Sequence, residues 1–232
     1  MKGDNMRDKA REKFEQLLEI MEELRSEHGC PWDRKQTHES LKPYMIEEAY
    51  EVVHAIDENN MDELIEELGD VMLQVVFHSQ IARENNEFTI VDVLERINSK
   101  MIRRHPHVFK NEGEYSYEQW EKIKAKEKGK KQYSKIGEIN KGLPPLMNLR
   151  RLIENSFAVD YDPYKEKNIF ELLKRDLESL ENEGNENNEI ELLTHLIYYF
   201  VKKERNIDSL LSKAAKEYFE KYKKFENGED KE

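Results

Sequence analysis

The sequence is poor in cysteine, glycine and proline. It has one cysteine, Cys30, with nine glycines and six prolines among 232 residues. A single cysteine allows no disulfide within the chain and favours a reducing compartment, so we expect a cytoplasmic protein. The low glycine and proline contents argue against β-sandwiches, collagen-like repeats and disulfide scaffolds. No apolar run approaches the 18 residues of a membrane-spanning helix, and the amino terminus lacks the apolar core of a secretion signal.

Charge, by contrast, is plentiful. Charged residues make up 38% of the chain, and 50 acidic against 38 basic residues leave a formal net charge of −12. This balance argues against binding to nucleic-acid polymers, whose phosphates attract basic surfaces. The composition favours helices with highly charged outer faces. The protein either collects cations or is simply well solvated.

Apolar residues recur at helical spacing along the chain, which predicts an all-α fold. Gly29 and Pro31 interrupt the pattern early, and Thr89 is a plausible N-cap with Asp92 three residues later. No segment shows the alternation that is typical of strands. The predicted helices cover about 6–26, 39–58, 62–85, 89–104, 117–128, 146–158, 169–181, 190–205 and 207–225.

We expect two tandem helical domains. Residues 1–130 would form the first and residues 143–232 the second, with a linker at 131–142. The halves echo each other weakly, since Glu67-Leu68-Gly69-Asp70 is similar to Glu191-Leu192-Leu193-Thr194 and an apolar run follows each string. A repeated helical hairpin explains this echo, although generic amphipathic helices also resemble one another.

Two predicted helices carry closely spaced carboxylates. In the second helix Glu48 and Glu51 are three residues apart and Glu47 lies beside them. In the third helix Glu67 and Asp70 are three residues apart. This spacing places side chains on one helix face. If the helices pack antiparallel, the carboxylates meet and repel one another, and a hard divalent cation such as Mg²⁺ is their natural counter-charge.

Spacing alone favours a simpler interpretation, a solvated acidic face, because so acidic a chain produces such triplets by chance. The sequence context favours a metal site. Glu67 and Asp70 directly precede the apolar run 71–77, where unpaired carboxylates are costly. Gly69 lies mid-helix, at a cost of about 1 kcal/mol relative to alanine. That cost indicates close approach by a neighbouring helix or a ligand.

Five short motifs follow one another in the first half of the chain. They are Gly29-Cys30-Pro31-Trp32-Asp33 with Gln36-Thr37-His38, Glu47-Glu48-x-x-Glu51, Glu67-Leu68-Gly69-Asp70, Arg103-Arg104-His105-Pro106-His107-Val108-Phe109 and Trp120-Glu121-x-Ile123-Lys124. In this order they resemble the MazG family of nucleoside triphosphate pyrophosphohydrolases. The resemblance implies an all-α bundle, a homodimer, and Mg²⁺-dependent hydrolysis of nucleoside triphosphates to monophosphates and pyrophosphate, with Mn²⁺ as a substitute.

The resemblance also implies roles for particular residues. Four carboxylates match the family's Mg²⁺ ligands and catalytic residues: Glu48, Glu51, Glu67 and Asp70. Glu47 matches a neighbouring ligand. Five residues match groups that hold the nucleotide and its triphosphate: Lys100, Arg103, Arg104, Trp120 and Lys124.

The second half departs from the motif. Thr194 stands where the first half has Asp70, and Leu193 stands where it has Gly69. We therefore expect a degenerate copy of the MazG type that has lost its chemistry and serves packing or dimerisation.

Other interpretations remain open at this point. A di-iron carboxylate bundle would need two Glu-x-x-His motifs, and only Glu51-Val52-Val53-His54 is present. A non-enzymatic helical module that binds nucleotide or a partner protein would use the carboxylates for solubility. A narrower enzyme would act on one nucleotide or on a damaged one, a choice that pocket shape decides.

Overall fold

The computed structural model describes residues 2–111, 114, 116–127, 129 and 134–228. In these residues the chain forms eleven α-helices and no strand, which confirms the predicted all-α class. No helix in the described ranges is long and apolar enough to cross a bilayer.

The chain divides into two compact units, residues 1–103 and 104–232. Helices of the first unit are α1 (Lys2–Arg25), α2 (Pro31–Lys35), α3 (Lys42–Asp57), α4 (Met61–Glu84) and α5 (Ile90–Arg104, which ends at the unit boundary). Those of the second are α6 (Pro106–Phe109), α7 (Tyr117–Glu127), α8 (Pro145–Phe157), α9 (Ile169–Asn182), α10 (Glu186–Lys202) and α11 (Ile207–Glu226). The predicted linker at 131–142, and a second domain that copies the first, stay predictions.

The first unit is built around α4. Its carboxy-terminal half packs against α1, and its amino-terminal half runs antiparallel to α3. The buried core consists of Met21, Leu41, Val76, Phe77 and Ile81, with Phe14, Leu17, Leu18 and Leu73 packed around it. Burial of these apolar side chains is the main stabilising contribution that fixes α4 in place.

A tight turn separates α3 from α4, as the sequence predicts. Asn59 has a left-handed backbone with φ of 53°. Asn60 caps α4 because its side-chain oxygen accepts a hydrogen bond from the Glu63 backbone N–H at 3.3 Å. So short a connection forces α3 and α4 to lie side by side and antiparallel.

The break after α1 is confirmed, and it contains a helix that the sequence did not reveal. A Cβ on Gly29 would lie only 2.2 Å from the Glu23 carbonyl oxygen, so the close turn accepts glycine alone. Pro31 then opens α2, because the first helical position needs no backbone N–H.

Arg25 ties α1 and α4 together at the end of the first unit. Its side chain is only 6% exposed and makes three hydrogen bonds to Glu84, from Nε to Oε1 at 2.9 Å, from Nε to Oε2 at 3.1 Å and from Nη2 to Oε2 at 2.6 Å. The guanidinium also donates to the Gln36 carbonyl oxygen and lies 5.4 Å from the Phe77 ring centroid. One cation therefore joins α1, α4 and the segment that follows α2.

Buried polar pairs mark the second unit. Its core contains Ile197, Val201 and Ile207, with apolar residues of α8 packed against them. Asp176 is buried and accepts a hydrogen bond from His195 Nδ1 at 2.5 Å. Asp176, a buried carboxylate of the second half, is thus engaged within its own unit.

Helix α10 begins earlier than the sequence suggests. The stretch 182–189 was expected to be a polar loop, but α10 starts at Glu186. Asn185 explains the difference, because its side-chain oxygen accepts a hydrogen bond from the Asn188 backbone N–H at 3.1 Å. An asparagine cap turns a polar stretch into the first turn of a helix.

Replacing Arg25 by methionine should lower the free energy of unfolding by about 2 kcal/mol, since it removes charged hydrogen bonds from a buried side chain. Arg25 lowers the pKa of Glu84 from its ordinary 4.5, chiefly by hydrogen bonding to its carboxylate. This stability is therefore present above pH 4.5 and is lost as the pH falls through the lowered pKa. Urea unfolding at several pH values should show the two proteins converging in acid.

The matched control is Arg83→Met. Arg83 makes a similar double hydrogen bond to Glu22, but both side chains are more than half exposed. Exposed pairs contribute about 0.5 kcal/mol. Equal decreases in the free energy of unfolding of the two variants would show that Arg25 does not hold α1 and α4 together.

Candidate metal centre

The turn between α3 and α4 brings three carboxylates together. Glu48 projects from α3, and Glu67 and Asp70 project from α4. One carboxylate oxygen from each lies within 4.8 Å of the others. We call these three residues the carboxylate cluster. Among the described residues no other group of three acidic, histidine or cysteine side chains meets so closely.

Helical geometry explains how the sequence builds this cluster. Glu67 and Asp70 are three residues apart, so both point from the same face of α4. Glu48 lies ten residues before the turn and faces them from the antiparallel α3. All three side chains are half-buried. The predicted convergence of the two acidic faces is thus present in the structure.

Charge repulsion perturbs the cluster. Burial raises the pKa of Glu48 above 4.5, and a hydrogen bond with Glu51 and the charge of Asp70 raise it further. Loss of hydration, followed by the charges of Glu51 and Asp70, raises the pKa of Glu67. Loss of hydration is the first cause of both shifts, and the neighbouring negative charges add to it.

Glu51 and Glu47 differ in their relation to the carboxylate cluster. Glu51 is exposed, one turn along α3 from Glu48, and its charge acts on both Glu48 and Glu67. Glu47 is exposed and lies outside the cluster. A ligand role for either residue stays a prediction.

Gly69 does not make the contact expected within the chain. A Cβ at this position would have no atom within 4 Å in the described part of the chain. A neighbouring helix of this unit is therefore not the reason for the glycine, which faces open space on the outer side of α4.

The structure adds one residue that the sequence analysis missed, Gln74. It is only 6% exposed, and its Nε2 donates a weak hydrogen bond of 3.4 Å to Glu48 Oε1. Its Oε1 is buried and has no hydrogen-bond partner within the described residues. A helical-face argument could have found it, because Gln74 is one turn beyond Asp70 and two beyond Glu67.

Two of the predicted substrate-binding residues line a cleft in the first unit. Lys100 and Arg103, from α5, border a cleft of about 880 Å³ beside Val75 of α4. Apolar side chains of α5, Val93, Leu94 and Ile97, form much of its wall. The cleft thus combines apolar walls with charged groups, the basic Arg96, Lys100 and Arg103 and the acidic Glu95.

The other three, Arg104, Trp120 and Lys124, lie in the second unit and already have partners there. Arg104 pairs with Glu127 at 2.5 Å and lies 5.4 Å from the Trp120 ring centroid. Lys124 pairs with Glu121, a buried carboxylate, also at 2.5 Å. Their predicted roles stay predictions, and each cation would have to exchange an ion pair for a phosphate.

Comparison with known proteins identifies the relationship. The family model of the MazG nucleotide pyrophosphohydrolase domain matches residues 36–109. The chain is 52% identical over 217 residues to the nucleoside triphosphate pyrophosphohydrolase/pyrophosphatase MazG of Thermotoga maritima. The match covers 92% of this chain and 85% of that protein. The chain belongs to the MazG family.

Two further relatives match a smaller part of this chain. The nucleoside triphosphate pyrophosphohydrolase of Escherichia coli (strain K12) is 42% identical over 64% of this chain and 59% of its own length. That of Mycobacterium tuberculosis is 37% identical over 62% of this chain and 45% of its own length. The matched segment includes the whole carboxylate cluster together with Lys100 and Arg103, whereas Trp120 and Lys124 lie beyond it.

The carboxylate cluster consists of groups that bind divalent metals. Carboxylate oxygens are the ligands preferred by Mg²⁺, Mn²⁺ and Ca²⁺. Three carboxylate oxygens converge here. No lysine or arginine contributes to the shifted pKa values of Glu48 and Glu67. The unpartnered Gln74 oxygen adds a further polar group at the same place. The residues therefore fit a hard cation.

Replacing Glu48 by glutamine should stabilise the metal-free protein by about 0.5 kcal/mol, because repulsion from Glu51 and Asp70 is removed. Addition of Mg²⁺ should raise the melting temperature of the wild type and raise that of the variant much less. Thermal unfolding with and without Mg²⁺ measures both effects.

Glu19→Gln is the control, since it removes one exposed carboxylate from α1, on a helix that carries none of the cluster. It should leave the gain from Mg²⁺ unchanged. A Glu48→Gln protein that gains as much from Mg²⁺ as the wild type would place the metal elsewhere.

Proposed function

We propose that the protein hydrolyses nucleoside triphosphates to nucleoside monophosphates and pyrophosphate and that the reaction depends on Mg²⁺, which Mn²⁺ can replace. The carboxylate cluster within the MazG-matched segment is the observation that carries this proposal. Relatives that are named nucleoside triphosphate pyrophosphohydrolases support it, at 52%, 42% and 37% identity.

Glu48, Glu67 and Asp70 would hold the metal, with Glu51 beside them as a further ligand or as a base. When bound, a divalent cation neutralises phosphate charge and lowers the pKa of a coordinated water. A carboxylate of this site would accept the proton of the attacking water. The half-buried position of the cluster strengthens these electrostatic interactions by limiting access of bulk water.

Lys100 and Arg103 would hold the triphosphate. Both line the cleft beside α4, where the apolar wall formed by α5 can receive the base or ribose. Cations fixed near developing negative charge lower the barrier of phosphate chemistry. Arg104, Trp120 and Lys124 remain candidates for nucleotide contacts.

Glu67→Gln and Asp70→Asn should each abolish turnover, because each removes one charged ligand of the cluster while nearly preserving side-chain shape. Each variant is incubated with Mg²⁺ and every common NTP and dNTP, and NMP and pyrophosphate are quantified. Far-UV circular dichroism should show the helical content of the wild type.

The same nucleotide panel, extended by one oxidised nucleotide, separates a general enzyme from a restricted one. Absence of both products with every nucleotide would exclude the proposed reaction. Full activity in both variants would show that the metal is bound elsewhere.

We further propose that the protein is a homodimer. Exposed apolar side chains follow a spacing of four and three residues along α3 and α4. This apolar stripe consists of Ile46, Tyr50 and Val53 on α3 and Met61, Ile65, Leu68 and Met72 on α4. Such spacing is typical of helices that pack against other helices. Gly69 lies on the same face as Ile65 and Met72 and would let a helix of a second copy approach closely.

Replacing Ile65 by lysine should convert the dimer to a monomer, because Ile65 is 71% exposed in the single chain and central to the stripe. Sedimentation or light scattering measures the mass. The control is Ile20→Lys on α1, where the same change is made at a side chain that is 54% exposed. A monomeric wild type, or a dimeric Ile65→Lys protein, would contradict the assignment of this surface.

The second unit would serve packing or dimerisation. Thr194 and Leu193 stand where the first half has Asp70 and Gly69, and Asp176 is engaged by His195. We propose that the chemistry belongs to the first unit. A cytoplasmic location follows from the single cysteine as a prediction.

A further inference from the structure

We propose that Gln74 is a positioning residue of the metal centre. Its amide Nε2 donates a hydrogen bond to the Glu48 carboxylate, and its buried carbonyl oxygen would accept a hydrogen bond from a water of the bound cation. This inference rests on the proposed metal-dependent function and assigns a residue outside the acidic motifs.

The position of Gln74 on α4 supports this role. Residues 67, 70 and 74 follow one another at spacings of three and four, so all three project from one face of the helix. Gln74 is the first fully buried residue of α4, whereas the cluster carboxylates are half-buried. It therefore lies where the polar site meets the apolar core.

The orientation of the amide is set by its neighbour. Nε2 lies 3.4 Å from Glu48 Oε1, which is the length of a weak hydrogen bond from a donor to a carboxylate. Turning the amide over would place its oxygen against the carboxylate, two acceptors facing each other. The carbonyl oxygen must then point away from Glu48.

That carbonyl oxygen lacks the partner it needs. It is buried and unpaired within the described residues, although buried polar atoms in proteins are nearly always hydrogen-bonded. A methionine of similar volume would fill this place without the penalty. The missing partner must be a donor, and nothing on α3 or α4 supplies one.

A hydrated cation supplies such a donor. Mg²⁺ held by few carboxylates keeps several waters, and their hydrogens point outward. A water bound to the cluster would satisfy the Gln74 oxygen, while the amide N–H fixes Glu48. Groups that orient metal ligands in this way commonly change metal affinity 10- to 100-fold when they are removed.

The test is titration of nucleotide-free protein with MgCl₂ in a calorimeter. We expect Gln74→Met to weaken Mg²⁺ binding by about 10- to 100-fold. Its metal-free melting temperature should equal or exceed that of the wild type, because an unpaired buried oxygen is removed. A residue that only fills the core would not give weak metal binding together with undiminished stability.

Gln80→Met is the matched control. It removes a glutamine from the same helix, where Gln80 donates to Glu84 at 3.0 Å, away from the carboxylate cluster. It should bind Mg²⁺ as the wild type does. Gln74→Asn, one methylene shorter, should lose affinity like Gln74→Met and serves as the test if the methionine variant does not fold.

The outcomes separate this inference from the proposed function. A wild type that binds no divalent cation would remove the metal centre and the Gln74 role together. A wild type and a folded Gln74 variant that bind Mg²⁺ equally would overturn the Gln74 role and leave the metal centre in place.

Discussion

Mutual repulsion of carboxylates is the constraint on which the first unit depends. Glu48, Glu67 and Asp70 hold their oxygens within 4.8 Å of one another. Loss of hydration, followed by neighbouring negative charges, raises the pKa values of Glu48 and Glu67. Such a cluster separates unless the helices that carry it are fixed. The carboxylate cluster is therefore a property of the whole helical frame that holds α3 and α4 together.

The frame is fixed at the other end of α4. The apolar core packs α1 against the carboxy-terminal half of α4, and Arg25 joins α1, α4 and the chain after α2. Gly29 makes the close turn between α1 and α2. Stabilising contacts thus concentrate away from the site, whereas the site end of the hairpin keeps its carboxylates half-buried and its outer faces apolar and exposed.

The basic residues divide into two kinds. Lys100 and Arg103 lie on α5 at a cleft beside the helix that carries two of the cluster carboxylates. Arg104 and Lys124 are held by Glu127 and Glu121 in the second unit, and Trp120 packs against Arg104. Arg104 and Lys124 would each have to break an ion pair before binding a phosphate, which costs free energy.

The helical class, the antiparallel α3–α4 hairpin and the carboxylates of the cluster follow from the sequence, because helical spacing and a two-residue turn are local properties. The same local rules missed α2, where Pro31 restarts a helix, and the early start of α10 at Glu186, which depends on the Asn185 cap. Spacing places Glu47 beside the cluster, but only the packing of α3 against α4 decides that Glu48 enters it and Glu47 does not.

Two residues show most clearly what only tertiary structure decided. Gly69 was expected to admit a neighbouring helix or a ligand, and the fold leaves it facing open space among the described residues. Gln74 carries no charge and belongs to no motif, so only its position on the same helix face as Glu67 and Asp70 distinguishes it in the sequence. Its significance comes from burial and from an oxygen without a partner. The sequence determined which charges exist and on which helix faces they lie. Packing decided which of them meet, because distance and burial depend on residues far apart in the chain.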